Sequence, residues 1–206
     1  MFKDASMYRF EENFRSQHII LDCDDVVLDW MSGFQAHVRR VTGIIPDPAG
    51  PTTWEMGEWL GIQDEVILEL IRGFNGSPAF GHLDARYDAL MALPALHRMG
   101  HKLTVLTSCS ADEEIVRRRR ENLEAHFGDI FQQVICIPLR ESKRKWLNIL
   151  ERGIWVEDNY KNATLGHGCG HRTFMVRRRH NRSHETPGDP IVTWVDDLRS
   201  IVSLFN

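Results

Sequence analysis

Three aspartates, Asp22, Asp24 and Asp25, follow an apolar run that starts at His18. Carboxylates this close together repel one another, and their removal from water is unfavourable unless a cation is bound nearby. The apolar run itself is expected to form a buried strand. An acidic group at the end of such a strand indicates a metal site or a site that handles polyanions.

Four further short segments are rich in β-branched and aromatic residues, as strands are. They span residues 102–108, 133–137, 153–157 and 172–176, and helical patterns lie between them. Strands that alternate with helices predict a parallel sheet covered on both faces. The expected fold is therefore α/β, with a Rossmann-like parallel sheet of about five strands.

The chain between the first two predicted strands is too long for a simple crossover. A strand–helix–strand unit takes about 30 residues, but Thr107 lies 85 positions after Asp22. We interpret residues 30–82 as a small helical cap inserted after strand one, and residues 18–29 with 83–206 as the α/β core. Residues 1–17 are read as an N-terminal lead-in, and residues 84–99 as a crossover helix that Pro94 should kink or shorten.

Ligands of an open parallel sheet bind beyond the carboxyl ends of its strands. The polar residues expected near that edge are Asp22, Asp24, Asp25, Thr107, Ser108, Lys143, Glu157, Asp158 and Asn159. Such a set suits phosphoryl transfer. One carboxylate attacks, a second acid moves the proton, a further carboxylate binds Mg²⁺, and hydrogen-bond donors hold the phosphoryl oxygens.

The segments DCDDVV, TVLTS and WVEDNYKN, with a lysine before the last of them, occur in a fixed order along most of the chain. Together they resemble the four motifs of the haloacid dehalogenase superfamily. The resemblance implies that Asp22 is a nucleophile that becomes phosphorylated. It also implies that Asp24 protonates the leaving group and later activates water.

The same resemblance implies which residues contact the phosphoryl group. Thr107 would form a hydrogen bond with it, and Ser108 could share that role as a substrate-binding residue. Lys143 would balance the charge of the phosphoryl group. Because Arg144 and Lys145 adjoin it, the sequence leaves open which of the three basic residues serves.

The resemblance further implies a Mg²⁺ cofactor. Asp22, Asp158 and the backbone carbonyl of Asp24 would hold the ion. Asn162 stands where many relatives carry an acid, so the outer part of the metal site is less defined than its centre.

A closer likeness concerns the cap. DCDDVVLDWMSGF and the later MVRRRHN are similar to segments of the 5′(3′)-deoxyribonucleotidases. This likeness implies an early helical cap and a nucleoside monophosphate as substrate, with Trp30 and Phe34 stacking on the base. The alternative is that both aromatic side chains pack the interior of the cap.

Three other patterns have weaker functional interpretations. The arginines at 117–120 are consecutive on a helix and are expected to form a solvated face. The arginines at 177–179 follow the fifth strand and could contact a substrate phosphate, although surface charge is the simpler interpretation. His167, Cys169 and His171 have a spacing open to a zinc interpretation, but the glycines between them favour a connecting loop.

Composition restricts the class of protein further. A net charge of −4 with 26% charged residues predicts no strong binding of nucleic acid. The four cysteines lack paired spacing, which predicts reduced thiols and a cytoplasmic location. No apolar run approaches the length of about 18 residues that a membrane helix needs, so no membrane segment is expected.

The activity expected from the sequence is Mg²⁺-dependent hydrolysis of a small phosphate monoester. A polynucleotide end phosphatase is the enzymatic alternative, because of the two arginine runs. A catalytically idle binding protein of the same fold is the non-enzymatic alternative. A haloacid dehalogenase is less favoured, since displacement of halide from carbon needs the nucleophile but neither Asp24 nor a metal.

Overall fold

The computed structural model describes residues 16–205. The strands are β1 (His18–Leu21), β2 (Lys102–Ser108), β3 (Phe131–Ile137), β4 (Ile154–Glu157), β5 (Arg172–Val176) and β6 (Thr193–Val195). They form one parallel sheet in the order β3-β2-β1-β4-β5-β6. The α/β fold is confirmed, and the sheet has one edge strand more than the five predicted. The lead-in predicted at residues 1–17 lies almost wholly outside the described residues.

Helices connect these strands. The α-helices of the described chain are α1 (Trp30–Thr42), α2 (Met56–Leu60), α3 (Asp64–Asn75), α4 (Tyr87–Arg98), α5 (Glu113–Phe127), α6 (Arg144–Ile149), α7 (Tyr160–Gly168) and α8 (Arg199–Val202). Short 3₁₀ turns lie at Pro78–His82 and Arg179–His184. Among the described residues, none of the helices has the length and apolar character needed to cross a bilayer.

The central strand β1 is buried on both faces of the sheet. Ile19, Ile20 and Leu21 are completely inaccessible to solvent. Ile19 and Leu21 belong to one hydrophobic cluster, whereas Ile20 packs in another with Leu106 and Trp155. Since side chains alternate between the two faces of a strand, each face of the sheet carries its own apolar layer. This explains why β1 is a continuous apolar run.

The strand order places the ends of three strands next to one another. Leu21 of β1 pairs with Val105 of β2 on one side and with Val156 of β4 on the other. The chain leaves β1 towards β2 on one side, whereas β4 on the other side is reached by the connection from β3. This change of direction creates a crevice at the carboxyl edge of the sheet. The residues that follow β1, β2 and β4 all emerge at this crevice.

The segment between β1 and the crossover helix α4 contains α1, α2, α3 and one 3₁₀ turn. Helix α1 begins after Asp29, whose side chain accepts a hydrogen bond from the backbone N–H of Ser32 at 3.2 Å. It ends at Gly43, whose φ of 74° is a left-handed conformation that glycine adopts without strain. The helical content agrees with the predicted cap, while its standing as a separate domain at 30–82 remains a prediction.

Pro94 was predicted to kink or shorten the crossover helix, and the helix continues past it for another turn. Helix α4 runs from Tyr87 to Arg98 with Pro94 inside it. Proline removes the N–H that would bond to the carbonyl of Leu90. Leu90 lies on the exposed side of the helix, where water can replace the missing donor, so the helix continues.

Candidate active site

A cavity of about 420 Å³ lies above the carboxyl edge of β1, β2 and β4. From the core, the lining residues that the sequence had singled out are Asp22, Asp24, Asp25, Thr107, Ser108, Lys143, Asp158, Asn159 and Asn162. The segment 30–82 lines the cavity with Trp30, which the sequence had also singled out, and with Trp54, Glu55, Met56, Asp64, Ile67, Leu68, Ile71 and Asn75. The structure therefore brings the predicted catalytic and metal-binding residues together around one space beneath the helical segment.

Asp22 lies at the centre of the site, directly after β1, and is 8% exposed. Its Oδ1 accepts a hydrogen bond from the backbone N–H of Cys23 at 2.7 Å and lies 2.8 Å from Nζ of Lys143. Burial and the charge of Glu157 raise the pKa of Asp22 well above its usual range, although Lys143 opposes the shift. The ionised carboxylate would therefore be stabilised by a further cation.

Lys143 is the basic residue of its run that reaches the site. It is 1% exposed, whereas the neighbouring Arg144 and Lys145 are exposed. Its Nζ lies 2.8 Å from Asp22 and 2.7 Å from Oε1 of Glu157. Burial alone would lower the pKa of Lys143, but the negative charges of Asp22 and Glu157 raise it above its usual value. The ammonium group is therefore charged and fixed beside Asp22.

Glu157 orients its neighbours and is completely buried. One carboxylate oxygen accepts from Lys143, and the other accepts from the backbone N–H groups of Asp158 and Asn159 at 2.8 Å each. Both oxygens are thus already hydrogen-bonded. Glu157 therefore holds Lys143 in place and shapes the loop that presents Asp158.

A candidate metal centre lies among the carboxylates. Asp22, Glu157 and Asp158 each offer an oxygen, and these atoms lie within 4.8 Å of one another. Since Glu157 is occupied by Lys143 and backbone N–H groups, Asp22 and Asp158 are the better available ligands. Mg²⁺ is usually held by one or two carboxylates and several waters, so this donor set fits the ion. The contribution of the Asp24 carbonyl stays a prediction.

Asp158 is held by two residues that the sequence analysis had not singled out. Its Oδ2 lies 2.8 Å from Nε2 of His180, and its backbone carbonyl accepts a hydrogen bond from Nδ2 of Asn181 at 2.8 Å. Burial would raise the pKa of Asp158, but the hydrogen bond and charge of His180 and the charge of Arg178 hold it below its usual value. Asp158 is thus kept ionised, as a metal ligand must be.

Thr107 and Ser108 end β2 at the edge of the cavity. Thr107 is 1% exposed, and its hydroxyl has no hydrogen-bond partner among the described residues. A buried hydroxyl without a partner is unfavourable, so a bound phosphoryl oxygen would satisfy it. The hydroxyl of Ser108 donates to the carbonyl of Pro138 at 2.8 Å. Ser108 also lines the cavity, and its sharing of the Thr107 role stays a prediction, since its hydroxyl would have to leave Pro138 to donate to a phosphate.

Asp24 has a partner that the sequence analysis missed. Nη2 of Arg119 donates to its Oδ1 at 2.5 Å. The side chain of Arg119 is completely buried, while that of Asp24 is 23% exposed. The prediction of a solvated face for residues 117–120 is therefore wrong for Arg119. Burial raises the pKa of Asp24, and the charge of Arg119 opposes that rise.

Asp25 is buried, and its backbone is strained. Its φ of 59° is left-handed, which aspartate tolerates better than most side chains. Its Oδ1 accepts a hydrogen bond from the backbone N–H of Met31 at 3.1 Å, and its carbonyl accepts from Nε of Arg178 at 2.6 Å. Burial and the charge of Asp158 raise the pKa of Asp25 to about 7. Asp25 therefore fixes the chain between β1 and α1.

The two aromatic residues predicted to contact the substrate differ in position. Trp30 is 7% exposed and lines the cavity, with its indole N–H donating to Oδ1 of Asn75 at 3.1 Å. Phe34 is completely buried, stacks on Trp30 with ring centroids 4.6 Å apart, and does not line the cavity. The predicted substrate contact of Phe34 is therefore wrong, because its ring is used in packing against Trp30 and Phe74.

The arginines after β5 are engaged with protein groups. Arg177 pairs with Glu185, and Arg178 donates to the backbone of Asp25. Arg179 donates to Asp47 at 2.9 Å and so ties the segment after α1 to the core. The three arginines thus contact protein groups, and none of them lines the cavity.

The pattern at His167, Cys169 and His171 does not form a metal site. In the part of the chain that the structure describes, the residues grouped as possible metal ligands are Asp22, Glu157 and Asp158. Nε2 of His171 lies 2.7 Å from the carbonyl of Leu147. The stretch contains the end of α7 and the turn into β5, as the connecting-loop interpretation predicted.

Comparison with known proteins supports the fold. No protein-family model matches the chain, and no curated protein matches it in sequence. Among solved structures, a candidate phosphatase from Clostridium difficile has a TM-score of 0.67 at 16% identity, over 93% of this chain and 100% of that one. A haloacid dehalogenase-like hydrolase from Streptococcus pneumoniae has a TM-score of 0.65 at 12% identity, over 93% and 99%.

A third similar structure is L-2-haloacid dehalogenase from Xanthobacter autotrophicus, with a TM-score of 0.59 at 12% identity, over 92% of this chain and 98% of that one. At such identities the likeness shows the fold alone. The fold of this chain is therefore that of haloacid dehalogenase-like hydrolases. The resemblance to deoxyribonucleotidases still depends on the sequence motifs.

Proposed function

We propose that the chain is a member of the haloacid dehalogenase superfamily that hydrolyses phosphate monoesters with Mg²⁺ through a phospho-aspartate on Asp22. The observation that carries this proposal is the set of groups around one cavity. A buried carboxylate lies beside a buried ammonium, with an unpartnered hydroxyl and a second ionised carboxylate lining the same space. In that order, these groups could serve as the nucleophile, the positive charge that balances the phosphoryl group, the hydrogen-bond donor to a phosphoryl oxygen and a metal ligand.

The reaction proceeds in two displacements at phosphorus. An oxygen of Asp22 forms a bond to phosphorus as the bond to the ester oxygen breaks, and Asp24 gives its proton to that leaving oxygen. Water then attacks the phosphorus of the phospho-aspartate and loses a proton to Asp24, which releases phosphate and restores Asp22. Asp22 and Asp158 would hold Mg²⁺, which would supply positive charge to offset that of the phosphoryl group. Lys143 and Thr107 hold the phosphoryl oxygens throughout.

Halide displacement from carbon is the second candidate, because a dehalogenase shares the fold. It requires a carboxylate nucleophile but no divalent ion. The crowding of Asp22, Glu157 and Asp158 with one lysine instead favours a site that takes up a further cation. This excess of negative charge supports the phosphatase over the dehalogenase.

The activity should depend strictly on Mg²⁺. Purified protein is expected to hydrolyse 4-nitrophenyl phosphate with MgCl₂, to stop after exhaustive EDTA treatment, and to recover when Mg²⁺ is restored. Asp158→Ala should raise the Mg²⁺ concentration needed for half-maximal rate, since one of two carboxylate ligands is lost. A parallel assay with a 2-haloacid and no metal tests the dehalogenase alternative. Full phosphatase activity in EDTA would rule out the mechanism.

Lys143 should be essential where its neighbour Lys145 is not. Lys143→Met keeps the length of the side chain but removes the charge beside Asp22, and is expected to lower kcat/KM by about 10²-fold, the order for a lost electrostatic contact in an active site. Lys145→Met, on the exposed side of the same turn, should change kcat/KM little. Because Lys143 separates two buried carboxylates, its variant is compared only if a melting curve shows it folded. Equal losses in both variants would contradict the assignment.

We further propose that the substrate is small and carries a nucleobase. The cavity is of small-molecule size, and indole rings of Trp30 and Trp54 line it beside the polar groups Glu55, Asp64 and Asn75. Aromatic faces offer stacking to a base, and the polar groups offer hydrogen bonds. A nucleoside monophosphate fits this combination.

Trp30 should discriminate between nucleotide and simple aryl substrates. Stacking on a base contributes about 1–3 kcal/mol, so Trp30→Ala is expected to raise KM for nucleoside monophosphates about tenfold or more and to leave 4-nitrophenyl phosphate much less affected. Phe34→Leu is the matched control, since Phe34 belongs to the same aromatic stack without lining the cavity. If Trp30→Ala impairs both substrates equally, the ring only packs the cap.

A polynucleotide end phosphatase remains the alternative substrate class. It was motivated by two arginine runs, and the structure shows Arg119 buried and Arg177–179 paired with protein groups. Rates on a mononucleotide and on a phosphorylated oligonucleotide separate the two classes, and inhibition of the second by salt would reveal phosphate contacts. A cytoplasmic location stays a prediction from the cysteine pattern.

A further inference from the structure

Arg119 is buried in a way that its helix neighbours are not. Its side chain is completely inaccessible, whereas that of Arg117 is 53% exposed and that of Arg118 is 23% exposed. Its guanidinium lies 4.0 Å from the centre of the Phe80 ring, in the 3₁₀ turn that returns from the helical segment to the core. On its other side, Nη2 donates to Asp24 at 2.5 Å. The guanidinium is thus fixed between the return of the cap and Asp24.

Fold stability does not explain this arrangement well. Nε and Nη1 of Arg119 have no hydrogen-bond partner within residues 16–205, so a buried cation uses few of its donors. Buried ion pairs are often no more stabilising than well-packed apolar residues of the same size, and an incompletely bonded one is less favourable still. The hydrogen bond that this arginine does make is with the carboxylate expected to move the proton.

The two carboxylate oxygens of Asp24 have different surroundings, so one can be fixed by the protein while the other acts on the substrate. Arg119 occupies Oδ1, and the partly exposed carboxylate lines the cavity. Oδ2 therefore remains for the substrate. A carboxylate on a short side chain at the start of a loop would otherwise sample several rotamers, and misplacement by about 1 Å strongly reduces proton transfer.

We propose that Arg119 is a positioning residue that holds Asp24 so that its second oxygen meets the leaving oxygen of the substrate. The proposal rests on the proposed phosphatase function. It also makes Phe80 a support for Asp24, because the ring packs on the guanidinium face. The return segment of the cap is thereby connected to the proton donor by two contacts.

The test compares esters that need a proton donor with esters that do not. An alkyl phosphate has a poor leaving group that must be protonated as it departs, whereas 4-nitrophenolate leaves without a proton. Arg119→Met is expected to lower kcat/KM for the alkyl ester about tenfold or more, because a misplaced Asp24 loses part of the rate that general acid catalysis contributes. The kcat/KM for the aryl ester should stay nearly unchanged. A merely structural role would lower both values together.

Matched variants sharpen this comparison. Arg117→Met removes an exposed arginine from the same helix and should leave the alkyl-to-aryl ratio unchanged. Arg119→Lys keeps the charge and should recover part of the ratio. Should Arg119→Met fail to fold, Phe80→Leu retains both charged groups while loosening the guanidinium, and it should lower the ratio in the same direction.

A double-mutant cycle shows whether Arg119 acts through Asp24. In an Asp24→Asn background, Arg119→Met should cause no further fall in the alkyl-to-aryl ratio. A further fall of similar size, or a wild-type ratio in folded Arg119→Met, would overturn the positioning role while leaving the phosphatase proposal intact. Absence of hydrolysis of either ester by the wild-type protein with Mg²⁺ would overturn both proposals.

Discussion

Asp22→Asn is expected to abolish hydrolysis of every phosphate ester while leaving the fold intact. Loss of a covalent nucleophile lowers turnover by about 10⁴-fold or more, because an amide oxygen does not form a stable bond to phosphorus. The amide has the shape of the carboxylate, and its oxygen can still accept the hydrogen bond from Cys23 that Oδ1 accepts now. The measurement is kcat with 4-nitrophenyl phosphate at saturating Mg²⁺.

The fold of this variant should survive because the change relieves charge repulsion. Asp22 is one of three buried carboxylates grouped within 4.8 Å, and Glu157 remains to pair with Lys143. Asp29→Asn is a matched control, since Asp29 caps α1 at a half-buried position outside the active-site cavity and asparagine caps a helix equally well. It should retain full activity. More than a few per cent of the wild-type rate in a pure, EDTA-sensitive sample of Asp22→Asn would remove Asp22 from the nucleophile role.

The sequence predicted the sheet edge well because two rules act together there. Side chains that follow parallel strands emerge at one edge, and the short apolar runs marked where β1, β2 and β4 end. This was sufficient to bring Asp22, Thr107 and Asp158 together. The edge strand β6 was missed because three residues, Thr193–Val195, are too few to show a pattern.

The choice among three basic residues could not be made from the sequence, since it depends on how α6 is oriented. Lys143 precedes the helix and is buried, while Arg144 and Lys145 turn outward. Phe34 raised the same difficulty. An aromatic residue near the nucleophile in sequence could either line the cavity or pack beneath Trp30, and only the packing of α1 against Phe74 decides it.

Arg119 was missed because four consecutive arginines resemble a solvated surface. A signal was nevertheless present in the helix periodicity. Ile115, Arg119 and Leu123 are spaced by four residues, so they share one face of α5, and Ile115 and Leu123 pack in the hydrophobic core. An arginine in the apolar stripe of a helix must have a buried partner, and the acids that follow β1 were available for that role.

Asp24→Asn is expected to lower kcat/KM for alkyl phosphates by about 10²–10⁴-fold, the usual contribution of general acid catalysis. The large fall in kcat/KM is expected because Asp24 lines the cavity, where its carboxyl group can meet the leaving oxygen. Asparagine preserves the volume and still accepts the hydrogen bond from Arg119, so the variant should remain folded. Only the ability to give and take a proton is removed.

The two displacements should respond differently to this change. For 4-nitrophenyl phosphate the leaving group needs no proton, so kcat/KM, which reports the first displacement, should fall much less than for an alkyl ester. The second displacement still needs a base for water, so kcat should fall for both substrates, and the phospho-aspartate should accumulate. A burst of 4-nitrophenolate equal to the enzyme concentration, followed by slow turnover, is the expected observation. Unchanged rates on alkyl esters would show that another group moves the proton, and the pairing of Asp24 with Arg119 would then serve only to hold α5 against the loop after β1.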